Sequence, residues 1–130
     1  MTTQPRYQFG RGAVAALGFI PERDGKGVAF CAGVERAKAE GKKGEEVVIG
    51  VCKANPGAHQ AYLEAIADAT RYRNARVRAG PNAAAFCNRV VEIAVATGAD
   101  VFACLGAISR LDPTLWRDGI AEIQKWRAEQ

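Results

Sequence analysis

The stretch EVVIGVC at residues 46–52 decides the predicted fold class. Its VVI triplet is β-branched, which favours a buried β-strand over a helix. The short apolar runs at residues 13–20 and 100–108 predict two more strands by the same reasoning. Three strands separated by helical patterns predict a single domain of mixed helices and strands.

Helical spacing of apolar residues separates and follows these strands. Helices are predicted at residues 28–40, 83–97 and 113–128. Gly41 and Gly98 end the first two as C-cap glycines, because glycine tolerates the left-handed conformation found there. Asp112 is expected to cap the last helix, with Pro113 at its first position.

Three stretches carry weaker patterns. Residues 21–27, PERDGKG, predict a glycine-rich turn, and Asn55-Pro56-Gly57 predicts a second turn. Residues 58–79 are ambiguous, because their alanines favour a helix although their apolar stripe is poor. No linker-like segment interrupts the sequence. The domain prediction is therefore a polar tail at residues 1–12 and one domain at residues 13–130.

Composition limits the class of protein. The chain has 130 residues, of which 48% are hydrophobic and 25% charged, so it is long enough to bury a core of its own. It contains no run of ~18 apolar residues, and residues 1–12 lack the apolar centre of a signal peptide. These features predict a cytoplasmic protein that does not enter a membrane.

The four cysteines are predicted to be reduced core residues. They are Cys31, Cys52, Cys87 and Cys104, and each lies in an apolar run. No CxxC spacing occurs, and His59 is the single histidine, so the common zinc ligand sets are absent and no metal site is predicted. Free cysteine otherwise behaves as a small buried hydrophobe.

The sequence contains an internal similarity. AFCxxVExAxAxG at residues 29–41 resembles AFCxxVVExAxAxG at residues 85–98, with one inserted residue. Each segment leads through an acidic residue into a predicted strand and then into an Asn-Pro or Asp-Pro turn. The pattern predicts a helix–strand–turn unit repeated about 57 residues later. Cys31 and Cys87 would then occupy equivalent buried positions.

These landmarks, in this order, resemble the formaldehyde-activating enzymes, which condense formaldehyde with tetrahydromethanopterin. The similarity spans residues 13–128: the glycine loop before Ala29-Phe30-Cys31, the strand before Asn55-Pro56, the helix after Gly80-Pro81, and the terminal helix. The resemblance implies an α+β fold like ribosomal protein S5 domain 2. It also implies a strand at residues 59–67 followed by a helix at residues 68–79.

The resemblance implies a function in one-carbon metabolism, with a reduced pterin such as tetrahydromethanopterin, or formaldehyde, as ligand. No tightly bound cofactor is implied. If active, the protein would be a carbon–nitrogen-forming lyase similar to 5,6,7,8-tetrahydromethanopterin hydro-lyase. The family also implies a homo-oligomeric ring, with a pentamer as one form. However, the family's catalytic histidine lies on the first strand, where residues 12–18 hold neither His nor Asp. Altered or lost catalysis is therefore expected.

Two residues are candidates for catalysis. His59 follows a predicted strand end and is the natural titrating group near neutral pH. Cys52 ends the same strand beside Lys53, whose charge would favour a nucleophilic thiolate. The resemblance places Glu22, Arg23, Asp24 and Lys26 in the loop where the family binds its ligand, and Asp68 at one of its pterin contacts. The full set of candidates for ligand binding is Glu22, Arg23, Asp24, Lys26, Val48, Lys53 and Asp68.

Two alternatives to a pterin-binding enzyme remain open. One is a non-catalytic oligomeric binding or scaffold protein, which the apolar first strand favours. The other is a nucleic-acid-binding protein, because Arg71, Arg73, Arg76 and Arg78 surround Tyr72 and the net charge is +4. No nucleic-acid motif accompanies these arginines, so this partner is the less expected one.

Overall fold

The computed structural model describes residues 12–130, and every regular element in that range is helical. The predicted α+β fold is therefore wrong, and the predicted tail falls almost wholly outside the described residues. Eight α-helices and one 3₁₀ turn follow in order: α1 Ala13–Leu17, α2 Pro21–Asp24, α3 Gly27–Ala39, α4 Glu45–Ala54, α5 Ala58–Arg76, the 3₁₀ turn Val77–Ala79, α6 Pro81–Thr97, α7 Val101–Leu111 and α8 Pro113–Ala128.

The stretch at residues 46–52 lies in helix α4 and not in a strand. Val47 and Val51 are buried one turn apart, and Val51 packs against Gly33 of α3. Val48 and Ile49, between them, face solvent. Val47 and Val51, spaced i, i+4, can both be buried on one face of a helix. This burial outweighs the β-propensity of the VVI triplet.

The other two predicted strands are also helices. Residues 13–17 form α1, and Gly18 ends it in the left-handed conformation at φ 69°. The predicted turn at residues 21–27 contains the one-turn helix α2, which begins with Pro21. Residues 101–111 form α7, because the Asp100 carboxylate accepts a hydrogen bond from the Ala103 N–H at 2.9 Å and caps the helix.

The predicted helices and their boundaries are confirmed. Helices α3 and α6 occupy the expected segments, with Gly41 and Gly98 in the left-handed conformation after them. Asp112 caps α8 by accepting from the Leu115 N–H at 3.2 Å. Residues 58–76 form one continuous helix, α5, so the alanine content was the correct indicator and the strand implied by the resemblance is wrong.

Helix α6 lies at the centre of the molecule and packs against α5, α7 and α8. Its Phe86 is fully buried and makes edge-on ring contacts with Tyr72 of α5 and Trp116 of α8, with centroids 6.5 and 5.7 Å apart. Gly119 of α8 lies directly beneath Phe86, where a Cβ would come within 2.5 Å of the Phe86 Cβ. These contacts join three helices around one aromatic side chain.

The internal similarity now relates two groups of three helices. Helices α3, α4 and α5 follow one another as α6, α7 and α8 do, and α3 packs on α5 as α6 packs on α8. The strand of each predicted unit is a short helix. Cys31 and Cys87 are both buried, as the repeat predicts, and so are Phe30 and Phe86 beside them. The two copies of the unit therefore bury equivalent positions.

No single helix within residues 12–130 is long and apolar enough to cross a bilayer. Helices α6 and α7 meet the length and composition criteria only when taken together, and they are bent by 113° at their junction.

Candidate functional site

An open groove of about 610 Å³ runs between α2 and α7. We call it the α2–α7 groove. Its volume is larger than that of the cleft between α6 and the start of α8, which is about 370 Å³. Its lining residues are Phe19, Arg23, Asp24, Asp100, Phe102, Ala103, Gly106 and Arg110. The groove therefore combines two aromatic side chains with two cations and two anions.

Arg23 and Asp24, both predicted as ligand-binding residues, form one side of the groove. The Arg23 guanidinium donates to both Asp24 carboxylate oxygens, at 2.9 and 2.7 Å, and to the Gly18 carbonyl at 2.7 Å. Asp24 also accepts from the Ile20 N–H at 2.8 Å. The Arg23 hydrogen bonds lower the pKa of Asp24, burial opposes them, and the Ile20 N–H and the charge of Arg110 lower it further. Asp24 is thus an ionised residue that fixes the α1–α2 turn.

Asp100 and Arg110 lie at opposite ends of α7, on the other side of the groove. One Asp100 oxygen is used as the helix cap, and the Asp100 N–H donates to the Asp24 carbonyl at 2.9 Å. The Arg110 side chain is exposed and donates through Nε to the Gly106 carbonyl at 3.4 Å. The charged side chains that line the groove already make hydrogen bonds within the protein. Few of their polar atoms are therefore left to bind a substrate.

Phe102 is the most unusual side chain of the groove. It lies on the outer face of α7 with 86% of its surface exposed, the highest fraction among the exposed large apolar residues of the described range. Exposing so large an apolar side chain leaves its surface in contact with water, which is unfavourable, and contact with a partner would remove that surface from water. Phe19, which is buried at the floor of the groove, supplies an apolar neighbour.

The two catalytic candidates lie apart from this groove. His59 is exposed near the start of α5, and its ring contacts Phe30 with centroids 5.0 Å apart. Cys52 is half-buried on α4 and packs against the core. Within residues 12–130 no hydrogen bond joins His59 to Cys52, so they do not form a nucleophile–base pair.

The other predicted ligand-binding residues are dispersed. Glu22 and Lys26 flank Arg23 and Asp24 in sequence but point into solvent. Val48 and Lys53 are exposed on α4. Asp68 is exposed on α5, where its carboxylate pairs with Arg71 one turn later. The structure therefore brings together only two of the seven.

The cysteines are buried and unreactive, with Cys52 as the partial exception. Burial raises the pKa of Cys31 and of Cys104 to about 12, with a smaller contribution from Glu35 or Asp100, and burial also raises the pKa of Cys87. All four are free thiols. No group of three or more His, Cys, Asp or Glu side chains in the described part of the chain is arranged to hold a metal ion.

The basic cluster spans the end of α5 and the 3₁₀ turn, where Arg78 is exposed and the other three arginines make intramolecular contacts. Arg71 pairs with Asp68, and the Arg76 guanidinium lies 3.9 Å from the centroid of the Tyr72 ring while donating to the Tyr72 carbonyl. Arg73 donates through Nε to Asn74 at 3.3 Å. Groups held in this way are poorly placed to follow a phosphate backbone, so the geometry adds no support to nucleic-acid binding.

Sequence reasoning missed most of the groove. Phe19, Asp100, Phe102, Gly106 and Arg110 all fall within or beside the segments predicted as strands. A signal was present in the sequence, because an aspartate three residues before Ala103 is a helix N-cap pattern. As a helix, the segment places Phe102, Gly106 and Ser109 on one face.

Residues 12–130 form an all-helical fold in which the α2–α7 groove combines apolar and charged side chains, and no proton-transfer constellation is found among these residues. Comparisons of the chain with protein-family models, with curated proteins and with solved structures find no match.

Proposed function

We propose that this protein is a non-catalytic scaffold that assembles with copies of itself. The observation that carries the proposal is the exposure of Phe102 beside the α2–α7 groove. Burying an aromatic side chain of this kind removes apolar surface from water and is worth about 1.5–3 kcal/mol. A neighbouring molecule on this face would supply that burial.

The polar groups of the groove support a binding role over a catalytic one. Asp24 is already bound to Arg23 and Ile20, and Asp100 caps α7. General acid–base catalysis needs a titratable group within hydrogen-bond reach of a substrate and a pKa near the working pH. The hydrogen bonds with Asp24 raise the pKa of Arg23, and those with Arg23 lower the pKa of Asp24, so this pair stays charged at such a pH.

The proposal is tested by light scattering coupled to size-exclusion chromatography over a range of protein concentrations. The proposal predicts a mass above that of the 13.9 kDa chain, rising with concentration towards a fixed multiple. A constant monomeric mass up to the highest soluble concentration would overturn it. The plateau also distinguishes a dimer from the ring that the resemblance implies.

Reduced-pterin binding is the competing prediction. The resemblance behind it implies an α+β fold, which the helical structure contradicts. Calorimetric titration with tetrahydromethanopterin and tetrahydrofolate, with and without formaldehyde, tests it directly. A non-catalytic scaffold should bind neither. Saturable heat with either ligand would favour the one-carbon function, and a matched titration of Asp24→Asn would show whether the α2–α7 groove is the site.

A further inference from the structure

The outer face of α7 carries a continuous exposed stripe. Phe102, Gly106 and Ser109 are spaced by four and three residues and are all exposed. A Cβ added at Gly106 would meet nothing within 4 Å, so the middle of the stripe is open and low. This surface can admit another helix closely at Gly106 while Phe102 projects beside it.

Opposite charges stand at the two ends of the stripe, so a second copy of α7 in reversed orientation would match them. Asp100 and Arg110 stand at opposite ends of α7, about 15 Å apart at 1.5 Å per residue. A second α7 laid antiparallel across the first at Gly106 brings the exposed Arg110 of each copy towards Asp100 of the other, and Asp112 at the same end is already used as the cap of α8. A parallel arrangement would place like charges together. Arg23 and Asp24 are bound to each other and add no net charge to the groove, so Asp100 and Arg110 carry the charge pattern that a partner meets.

The same arrangement covers Phe102. With Gly106 at the crossing point, Phe102 of one copy lies opposite Arg110 of the other. A guanidinium over an aromatic ring is a favourable contact, and it is stronger when the pair is removed from water. Both copies make the contact, because an interface with twofold symmetry uses the same patch twice.

Building on the proposed function, we infer that the partner at the α2–α7 groove is a second copy of this chain, bound as a twofold dimer through antiparallel α7 helices. The exposed aromatic, the open Gly106 and the reversed charges at the two ends of one helix all point to this occupant. A partner with a net charge of either sign would leave one end of the groove unmatched.

Cysteine cross-linking tests the crossing point. In a Cys52→Ser background, which removes the most accessible native thiol, Gly106→Cys is compared with Gly50→Cys. Both glycines are exposed within helices and have nothing within 4 Å of an added Cβ. Mild oxidation should convert Gly106→Cys to a covalent dimer and leave Gly50→Cys monomeric. Equal cross-linking of both, or none at Gly106, would overturn the proposed interface.

Charge reversal tests the orientation without relying on a new thiol. Arg110→Glu should weaken the dimer about tenfold, since symmetry repeats the lost pair. Adding Asp100→Asn should recover part of the loss, because the asparagine oxygen still caps α7 and the repulsion is gone. An unchanged dissociation constant for Arg110→Glu would overturn the antiparallel arrangement.

The outcomes separate the two proposals. Suppose that the wild type is an oligomer, that Arg110→Glu leaves its dissociation constant unchanged, and that Gly106→Cys does not cross-link. This result is consistent with the scaffold function and refutes the α7 interface. A wild-type monomer refutes both.

Discussion

Asp24 shows how one side chain organises the start of the fold. It is almost fully buried, and its carboxylate joins the Ile20 N–H to the Arg23 guanidinium. Arg23 extends the connection to the carbonyl at the end of α1. The first turn of the groove wall therefore depends on a single ionised residue.

We expect Asp24→Asn to lower the free energy of unfolding by about 1–3 kcal/mol, because hydrogen bonds to a charged group are lost. The folded-state pKa of Asp24 is lowered, so its contribution is present above its ordinary pKa of 3.8 and is lost as the pH falls below that value. Urea titrations between pH 3 and pH 7 should show a steeper acid loss for the wild type than for Asp24→Asn.

The control for this prediction is Asp68→Asn, which removes an exposed ion pair with Arg71. An exposed pair contributes about 0–1 kcal/mol, so this variant should stay close to the wild type. Equal losses from the two variants would contradict the role assigned to Asp24.

Thiol accessibility gives a second prediction for single residues. At pH 8 one cysteine of the native protein should react readily with a thiol reagent, and four should react after unfolding, because Cys31, Cys87 and Cys104 are buried. Cys52→Ser should abolish the fast reaction. Rapid modification of two or more thiols in the folded wild type, followed by mass spectrometry, would contradict the core packing described above.

Among the helices, glycine contacts decide how closely neighbours approach. Gly27 at the start of α3 and Gly98 at the end of α6 lie with their backbones in direct contact. Gly119 of α8 makes room for Phe86 of α6. Gly50 and Gly106, in contrast, face open space. Gly27, Gly98 and Gly119 are therefore required for close helix packing, whereas Gly50 and Gly106 are not.

We expect Gly119→Ala to destabilise the protein by about 1–3 kcal/mol, because its methyl group would collide with Phe86. Gly50→Ala should instead stabilise it by about 0.5–1 kcal/mol through helix propensity alone. Thermal and urea unfolding of the two variants measure the difference. Stabilisation by both substitutions would show that α8 does not pack on α6 as described.

Helix boundaries were predictable from the sequence, whereas the type of the short elements was not. Gly41, Gly98 and Asp112 end or begin helices where expected, because their effects are local. The stretch at residues 46–52 has β-branched residues and also an i, i+4 pair, Val47 and Val51. Only the packing of α3 beside it decides between the two patterns, and a sequence does not display that packing directly.

The candidate site was predictable in part for the same reason. Arg23 and Asp24 are predicted because they are polar residues in the loop where the resembled family binds its ligand. Phe102 was hidden by its assignment to a buried strand, where an aromatic residue needs no explanation. Once α7 is a helix, its exposure becomes the feature that most needs one.

At the scale of the whole molecule, two groups of three helices share one core and differ in what they expose. Helix α4 packs mainly on α3, whereas its counterpart α7 packs on both α6 and α8 and borders the groove. The net charge of +4 does not concentrate at this groove, which is balanced. The proposed assembly through α7 therefore does not call on the excess positive charge of the chain.

The most direct measurement of the central claim is sedimentation velocity of Phe102→Ser beside Leu63→Ser at one concentration. Leu63 is an exposed apolar residue of α5, 45% exposed, that lies outside the groove. Both variants should remain folded, because both side chains face solvent in the single chain, and loss of the oligomer should lower the apparent melting temperature of Phe102→Ser alone. The account predicts that Phe102→Ser sediments as a monomer while Leu63→Ser sediments with the wild type. Identical sedimentation of the two variants would contradict it.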